Sequence, residues 1–366
     1  MNRLIPFWGI ILFALMSIAG IQPKQQGLIL LHADKSVSTK GPNGVVREFT
    51  GHVHFQQDTL EMFCQRAIYY AAQKKIRFSD SVRIYNGSQS IFADLIDYYP
   101  DSKQAVCSGN VRISTRNDSI SCDFLTYNFK TDRVTAKGNV YLLNREERVQ
   151  ITGQRGWHVP DSGLSRVRGN ARFVRVDSSG RDTLTITATV LSYHKNKKTF
   201  ALATDSVVIH QNAMRAVCDS AYYFPDSEFI RLKKNPHVWY EENELQGNSM
   251  LVTLDSLEIK TIRIKGNGTA QSVADSVKGL INRLKGKIID FDIEQRKPRL
   301  ITATGNASSI YYLENDQGEY QGANYATADT IRIFFAGGKL DSITIIGGAR
   351  GIYYPENYQG EMKFAE

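Results

Sequence analysis

Cysteine, proline and tryptophan are all scarce in these 366 residues, with 4, 9 and 3 copies. Four cysteines with no Cys-x-x-Cys pair leave no disulfide framework and no zinc or thioredoxin-like signature. So little proline excludes collagen-like and Pro-rich linker chains. No P-loop, dinucleotide fingerprint or Gly-x-Ser-x-Gly elbow occurs, and the acidic residues show no pairing that would motivate hydrolysis. After the first 22 residues no apolar run is long enough for a membrane helix. What is present is 42% apolar and 22% charged residues, 18 Tyr and 17 Phe, which is the balance of a folding chain with large buried surfaces.

The N-terminus carries Arg3, an apolar run from Leu4 to Ile18, and Ser17-Ile18-Ala19 before Gly20. This is the charge, core and small-residue order of a secretory signal over residues 1–19, with a retained anchor as the alternative. The first cysteine, Cys64, is too distant for lipoprotein attachment. Formal net charge is +8, mildly basic, and a secreted chain of this kind has no expected nucleic-acid partner.

Internal repetition is the informative feature. Gly or Asp, a small polar residue, then Val or Ala recurs at Gly51-His52-Val53, Asp80-Ser81-Val82, Gly109-Asn110-Val111, Gly138-Asn139-Val140, Gly169-Asn170-Ala171 and Asp205-Ser206-Val207. Pro236-His237-Val238 continues it loosely. From 53 to 238 the third positions step by 29, 29, 29, 31, 36 and 31 residues. Gly268-Thr269-Ala270, Gly305-Asn306-Ala307 and Gly348-Ala349 extend the series at longer spacing. Each anchor opens an alternating strand, then a polar turn, an aromatic strand such as Tyr222-Tyr223-Phe224, and a closing turn spelled Pro100-Asp101-Ser102, Pro160-Asp161-Ser162 or Pro225-Asp226-Ser227. One such unit cannot bury its own apolar face, so the units must stack into an all-β pile. At about 4.8 Å per rung, ten anchors span roughly 43 Å. Near residue 245 the spacing lengthens, which divides the chain into segments 28–245 and 246–366. Residues 275–283 are open between a basic amphipathic helix and strand, and Leu284-Lys285-Gly286 reads as strand.

Gly-Asn-Val turns, alternating strands and aromatic strands behind a secretion signal resemble the OstA-like family, that of the periplasmic lipopolysaccharide-transport bridge LptA and the N-terminal domain of the translocon LptD. The resemblance runs from about Leu28 to the end. It implies a taco-like β-jellyroll whose apolar groove shields lipid A acyl chains without enzymatic chemistry or cofactor. It further implies a periplasmic location, with lipopolysaccharide and other jellyrolls of the export bridge or outer-membrane translocon as partners; separately, the strand announced by Tyr358-Gln359-Gly360 would leave an open edge able to pair head-to-tail with another copy of the chain. An acyl chain of roughly a dozen methylenes costs on the order of 10 kcal/mol to carry exposed. The expected lining is the inward side of the anchor strands: Val53, Phe55, Val82, Ile84, Val111, Ile113, Val140, Leu142, Phe173, Val207 and Ile209. Ala270-x-Ser272, Ala307-x-Ser309 and Ala349-x-Gly351 either widen the interior or mark a change of packing register. The rival readings are a structural or adhesive cell-surface β-solenoid and a β-helix polysaccharide-processing enzyme.

Other candidates have plain structural explanations. His52 and His54 form an i, i+2 pair that could hold a metal or simply decorate a strand. Asp80, Asp205 and Asp219 sit where carboxylates cap turns. The basic residues Lys74, Lys75, Arg77, Lys195, Lys197, Lys198, Lys233 and Lys234 suit either phosphorylated head groups or solvated turns. Cys64, Cys122 and Cys218 each fall 11 residues after an anchor, in one column, and Cys64 and Cys122 are two rungs apart, too far for a disulfide. Cys107 is near enough to meet Cys122, but free thiols are expected.

Overall fold

The computed structural model describes residues 27–42, 44–159, 162–195, 198–315, 320–360 and 362. The expected signal segment over residues 1–19, Pro160-Asp161, Lys197 and Glu366 lie outside them. Among the described residues are 24 β-strands and one short 3-10 turn at Ala71–Gln73. The pairing is antiparallel throughout and follows chain order, hairpin upon hairpin, giving the expected all-β jellyroll-like stack.

The Gly-Asn pairs work differently from expectation. They are creases inside single strands, not hairpin turns. In strand Gln104–Ser114, Ser108 faces Phe124 but Val111 faces Cys122, so three steps on one strand match two on its partner. The extra residue is accommodated by two successive left-handed residues, Gly109 (φ 73°) and Asn110 (φ 47°). Such a bulge bends the strand. Asp80-Ser81, Gly138-Asn139, Gly169-Asn170 and Asp205-Ser206 repeat it, as do Gly266-Asn267 and Gly305-Asn306, and Lys234-Asn235 is the same left-handed pair at the break between Phe229–Lys233 and His237–Tyr240. The seventh anchor is therefore made by Lys234-Asn235 ahead of Pro236. The eighth begins at Gly268, two residues before the position read from sequence. A left-handed Gly-Asn pair suits a tight hairpin or a bulge equally well; only the cross-strand partners separate them.

Because each 29-residue repeat holds two creased strands, its rise is about 9.6 Å, twice the expected step. The creases divide the stack into two walls: an anchor wall following each crease and an aromatic wall preceding it. Their inner faces meet, with Phe55 on Phe78 at 5.7 Å and Phe173 on Tyr223 at 6.0 Å between ring centroids. The core forms two main clusters, one from Phe49 to Val140 and one from Val149 to Ile333, both touching half-buried Leu142.

Pairing continues through residue 245. Met214–Phe224 bonds Phe229–Lys233 on one wall and His237–Tyr240 on the other. Asn243–Gln246 and Ser249–Asp255 then carry both walls to Glu258–Asp275. The undecided 275–283 segment is a turn followed by strand from Leu280. Asp275 Oδ1 accepts from the amides of Val277 and Lys278 at 2.8 and 3.0 Å, and Val277 is 94% exposed, so no amphipathic helix forms. Of the Pro-Asp-Ser turns, 100–102 and 225–227 close hairpins.

Candidate functional site

Alternation inside each creased strand puts every second side chain into the space between the walls. All eleven expected lining residues point there. Ten are buried at 0–4% exposure and Leu142 is half-buried. They form one inward column, and over most of its length that column packs against the opposite wall with no open trough between.

Free space between the walls includes three openings among the described residues. At the N-terminal mouth a cavity of about 620 Å³ is lined by Leu28, Leu30, Phe49, Phe55, Tyr69 and Ile76, with Arg47 and Lys74 at hand. Toward the other end a cavity of about 320 Å³ includes Ala270, Ser272, Leu284 and Ile333, so at Ala270-x-Ser272 the interior does widen. Ser308 and Ser309 are buried instead, and Gly351 is exposed. A side opening of about 250 Å³ lies between Ile113, Thr115 and Ile120 on the anchor wall and Tyr127, Val134 and His158 on the aromatic wall.

The slit opposite the creases is fastened by polar side chains reaching from wall to wall. Tyr98 donates to Gln57 Oε1 at 2.5 Å, and Lys103 pairs with Asp58. Further along, Tyr193 donates to Glu147 at 3.0 Å, where Lys195 also approaches to 3.6 Å, and Arg175 donates to Tyr223. Gln211 donates to the Leu257 carbonyl at 2.5 Å, and Arg296 reaches Asp182 at 2.9 Å. Sequence reading missed these clasps, although a signal existed. Tyr69, Tyr98, Tyr127, Tyr193 and Tyr223 each stand five residues after a small residue facing an anchor, namely Cys64, Ala93, Cys122, Ala188 and Cys218. In the same frame Gly153 is followed by His158, which breaks the tyrosine series.

The histidine pair is not brought together. His52 is left-handed (φ 44°) in a crease and hydrogen-bonds Asp34 Oδ2 at 3.0 Å; His32 meets Oδ1 at 3.2 Å. Those bonds hold the Asp34 carboxyl below the usual carboxylate range. His54 instead stacks on Phe63 at 4.1 Å. Among the described residues no three His, Cys, Asp or Glu side chains gather to hold a metal. Asp80 and Asp205 are crease residues. Several basic residues are locally neutralised: Lys74 by Asp101, Lys75 and Arg77 by Asp97, Lys195 by Glu147.

The cysteine column is present, with Cys64, Cys122 and Cys218 each opposite its anchor. Each thiol donates to the carbonyl two residues on, at 3.1, 3.2 and 3.3 Å. Since each repeat holds two strands, Cys64 and Cys122 are four strands apart, about 19 Å, not two rungs. All four cysteines are free and buried. Burial pushes the thiols up, to about 12 for Cys64 and Cys107 and about 11 for Cys122 and Cys218. The unfolded chain therefore loses thiol protons first as pH rises, so stability should fall from about pH 8.5 upward while remaining flat near neutrality. Ellman titration should show four slow thiols in the native protein at pH 8 and four fast ones in denaturant. Fast native reaction would contradict the burial.

Among the described residues no helix is long and apolar enough to cross a membrane. No curated protein matches the chain. Residues 25–179, the stretch of nearly regular creases, match the family model described as OstA-like protein.

Proposed function

We propose that the protein is a non-enzymatic lipopolysaccharide-transport component of the periplasm, holding lipid A acyl chains between its two walls on the way to the outer membrane. The observation that supports this best is an apolar inter-wall interior running from strand to strand and opening in a mouth of about 620 Å³. The OstA-like match points the same way, since lipopolysaccharide transport is the role associated with that family.

Cargo would enter by parting the walls. The partly exposed ion pairs among the clasps are worth roughly 0–1 kcal/mol each, and the buried Tyr98–Gln57 and Gln211–Leu257 hydrogen bonds about 0.5–1.5 kcal/mol each. An exposed acyl chain costs on the order of 10 kcal/mol. Parting exchanges side-chain contacts for lipid contacts of similar polarity, so only the clasps and local packing oppose it. The outer strands suit partners that add a strand: Ile29–His32 and Lys35–Gly41 are exposed throughout on one edge, and Lys339–Ile346 and Arg350–Tyr354 form the other. Similar jellyrolls or further copies of this chain would fit there.

Photocrosslinkers at positions 55, 84 and 113 should capture lipopolysaccharide, whereas one on the outer face at position 112 should not. Equal capture inside and outside, or none inside, would remove the transport reading and favour a structural β-solenoid.

A further inference from the structure

The clasps are unevenly distributed. Between Asp58–Lys103 and Glu147–Tyr193 the wall-to-wall side-chain bonding among the described residues thins to a contact of Tyr127 with Gln89, and the 250 Å³ opening lies in that gap. Tyr127, which occupies the clasping column, turns to Asp132 on its own wall at 2.8 Å. His158 then stands where the next tyrosine would be and bonds Ser165, also on its own wall, at 2.9 Å. Gly153 and Gly156 remove inward side chains from the same strand, and the two main core clusters divide here. Behind the opening lies an apolar crevice whose lining includes Ile120, Val134, Val140, Leu142 and Val167. An apolar cavity of about 150 Å³ already admits a benzene ring, so 250 Å³ is ample for a segment of hydrocarbon chain.

The outer face of the aromatic wall carries a matching charge pattern at the same strands. Lys137, Arg155 and Arg168 are exposed and stand directly opposite one another across three adjacent strands. Like charges in that arrangement repel. None of the three makes an ion pair in the described structure. One row nearer the slit, Trp157 lies under both guanidiniums, with Arg166 at 5.5 Å and Arg168 at 5.7 Å from its ring. Trp157 and Arg166 also border the apolar crevice. Three unneutralised cations and an aromatic platform beside a greasy opening are complementary to one object: an amphiphile with a phosphate-bearing head.

We propose that the gap between the clasps is a side port that takes an acyl chain of a phosphorylated glycolipid, whose anionic head group folds over the rim onto Trp157, Arg166, Arg168, Arg155 and Lys137. This rests on the transport reading and adds a place and a head-group contact to it. The port fixes where cargo joins or leaves the interior without threading the whole stack.

The test uses the full-length protein with a photoreactive benzoylphenylalanine at position 120, in the port, or at position 209, in the clasped stretch, and purified lipopolysaccharide as probe. Capture at early times should be at least fivefold greater from 120. Arg155→Gln combined with Arg168→Gln should cut capture from 120 at least fivefold when the lipid A carries its phosphates and less than twofold when they have been removed. Because the arginines repel each other, this pair of changes should leave the melting temperature unchanged or raised, which shows that the loss is not unfolding. Inorganic phosphate at equal concentration should not compete; full competition would show a site for the free anion and overturn the lipid assignment. Capture from 209 as fast as from 120, or an undiminished yield in the arginine variant, overturns the port while leaving transport standing. No capture from either position overturns both.

Discussion

Phe78→Ala and Phe291→Ala should each lower stability by about 3–5 kcal/mol, the usual cost of emptying a large buried aromatic site. The two losses should also appear in different parts of the chain. Both rings are fully buried, but Phe78 belongs to the cluster from Phe49 to Val140 and Phe291 to the cluster from Val149 to Ile333. A stack in which each hairpin touches only its neighbours has stability that is approximately local, so a weak interface can separate two cooperative units. The glycines of strand Val149–Val159 and the cavity beside it place that weak interface between residues 140 and 149. Hydrogen exchange read by peptide should show Phe78→Ala speeding exchange mainly in 49–140 and Phe291→Ala mainly beyond 149. Uniform acceleration along the whole chain by either variant would mean that the seam is not an energetic boundary.

How much of this was legible in sequence depended on the range of the interaction. Repeat period, strand alternation and the inward side of each anchor strand are local, and Val53, Val82, Val111, Val140 and Val207 all face inward as the pattern required. The cysteine column was legible for the same reason, because 11 residues carry the chain around one hairpin tip to the facing position. The crease was misread because two left-handed residues in succession describe a bulge as well as a turn. That misreading halved the expected rise. The tyrosine column left a local signal, but the partners of the clasps were beyond reach: Gln57 to Tyr98, Glu147 to Tyr193 and Asp182 to Arg296 are 41, 46 and 114 residues apart, and their meeting depends on how far the walls lean together. His158 was visible only as one more scattered histidine until the tyrosine column gave it a frame.

The crease makes the second large prediction, because it carries both the bend and the wall separation. At Gly138 (φ 76°) an added Cβ would lie 2.2 Å from Asp123 Oδ2 and 2.9 Å from Cγ, well inside contact distance. That carboxylate covers the glycine and accepts from Asn139 Nδ2 at 3.0 Å, so the Asp, Gly and Asn form one unit. The same unit recurs with Asp94, Gly109 and Asn110, where Asn110 Nδ2 donates at 2.8 Å, and His52 takes the Asn position beside Asp34 and Gly51. Gly138→Ala must hold a left-handed alanine, at about 1–3 kcal/mol, and also displace the carboxylate, losing a hydrogen bond of about 0.5–1.5 kcal/mol. The sum is a loss of about 1.5–4.5 kcal/mol. Gly87 supplies the control: it is left-handed (φ 57°) in a hairpin turn, but its added Cβ would meet nothing within 4 Å. Gly87→Ala should therefore cost only the conformational share, about 1 kcal/mol. Asp123→Ala should partly rescue Gly138→Ala, because the clash disappears with the carboxylate, so the double variant should be more stable than the sum of the single losses. Denaturant titration of the four variants decides it. Strict additivity, or equal losses at 87 and 138, would show that the carboxylate does not shape the crease and that backbone conformation alone bends the wall.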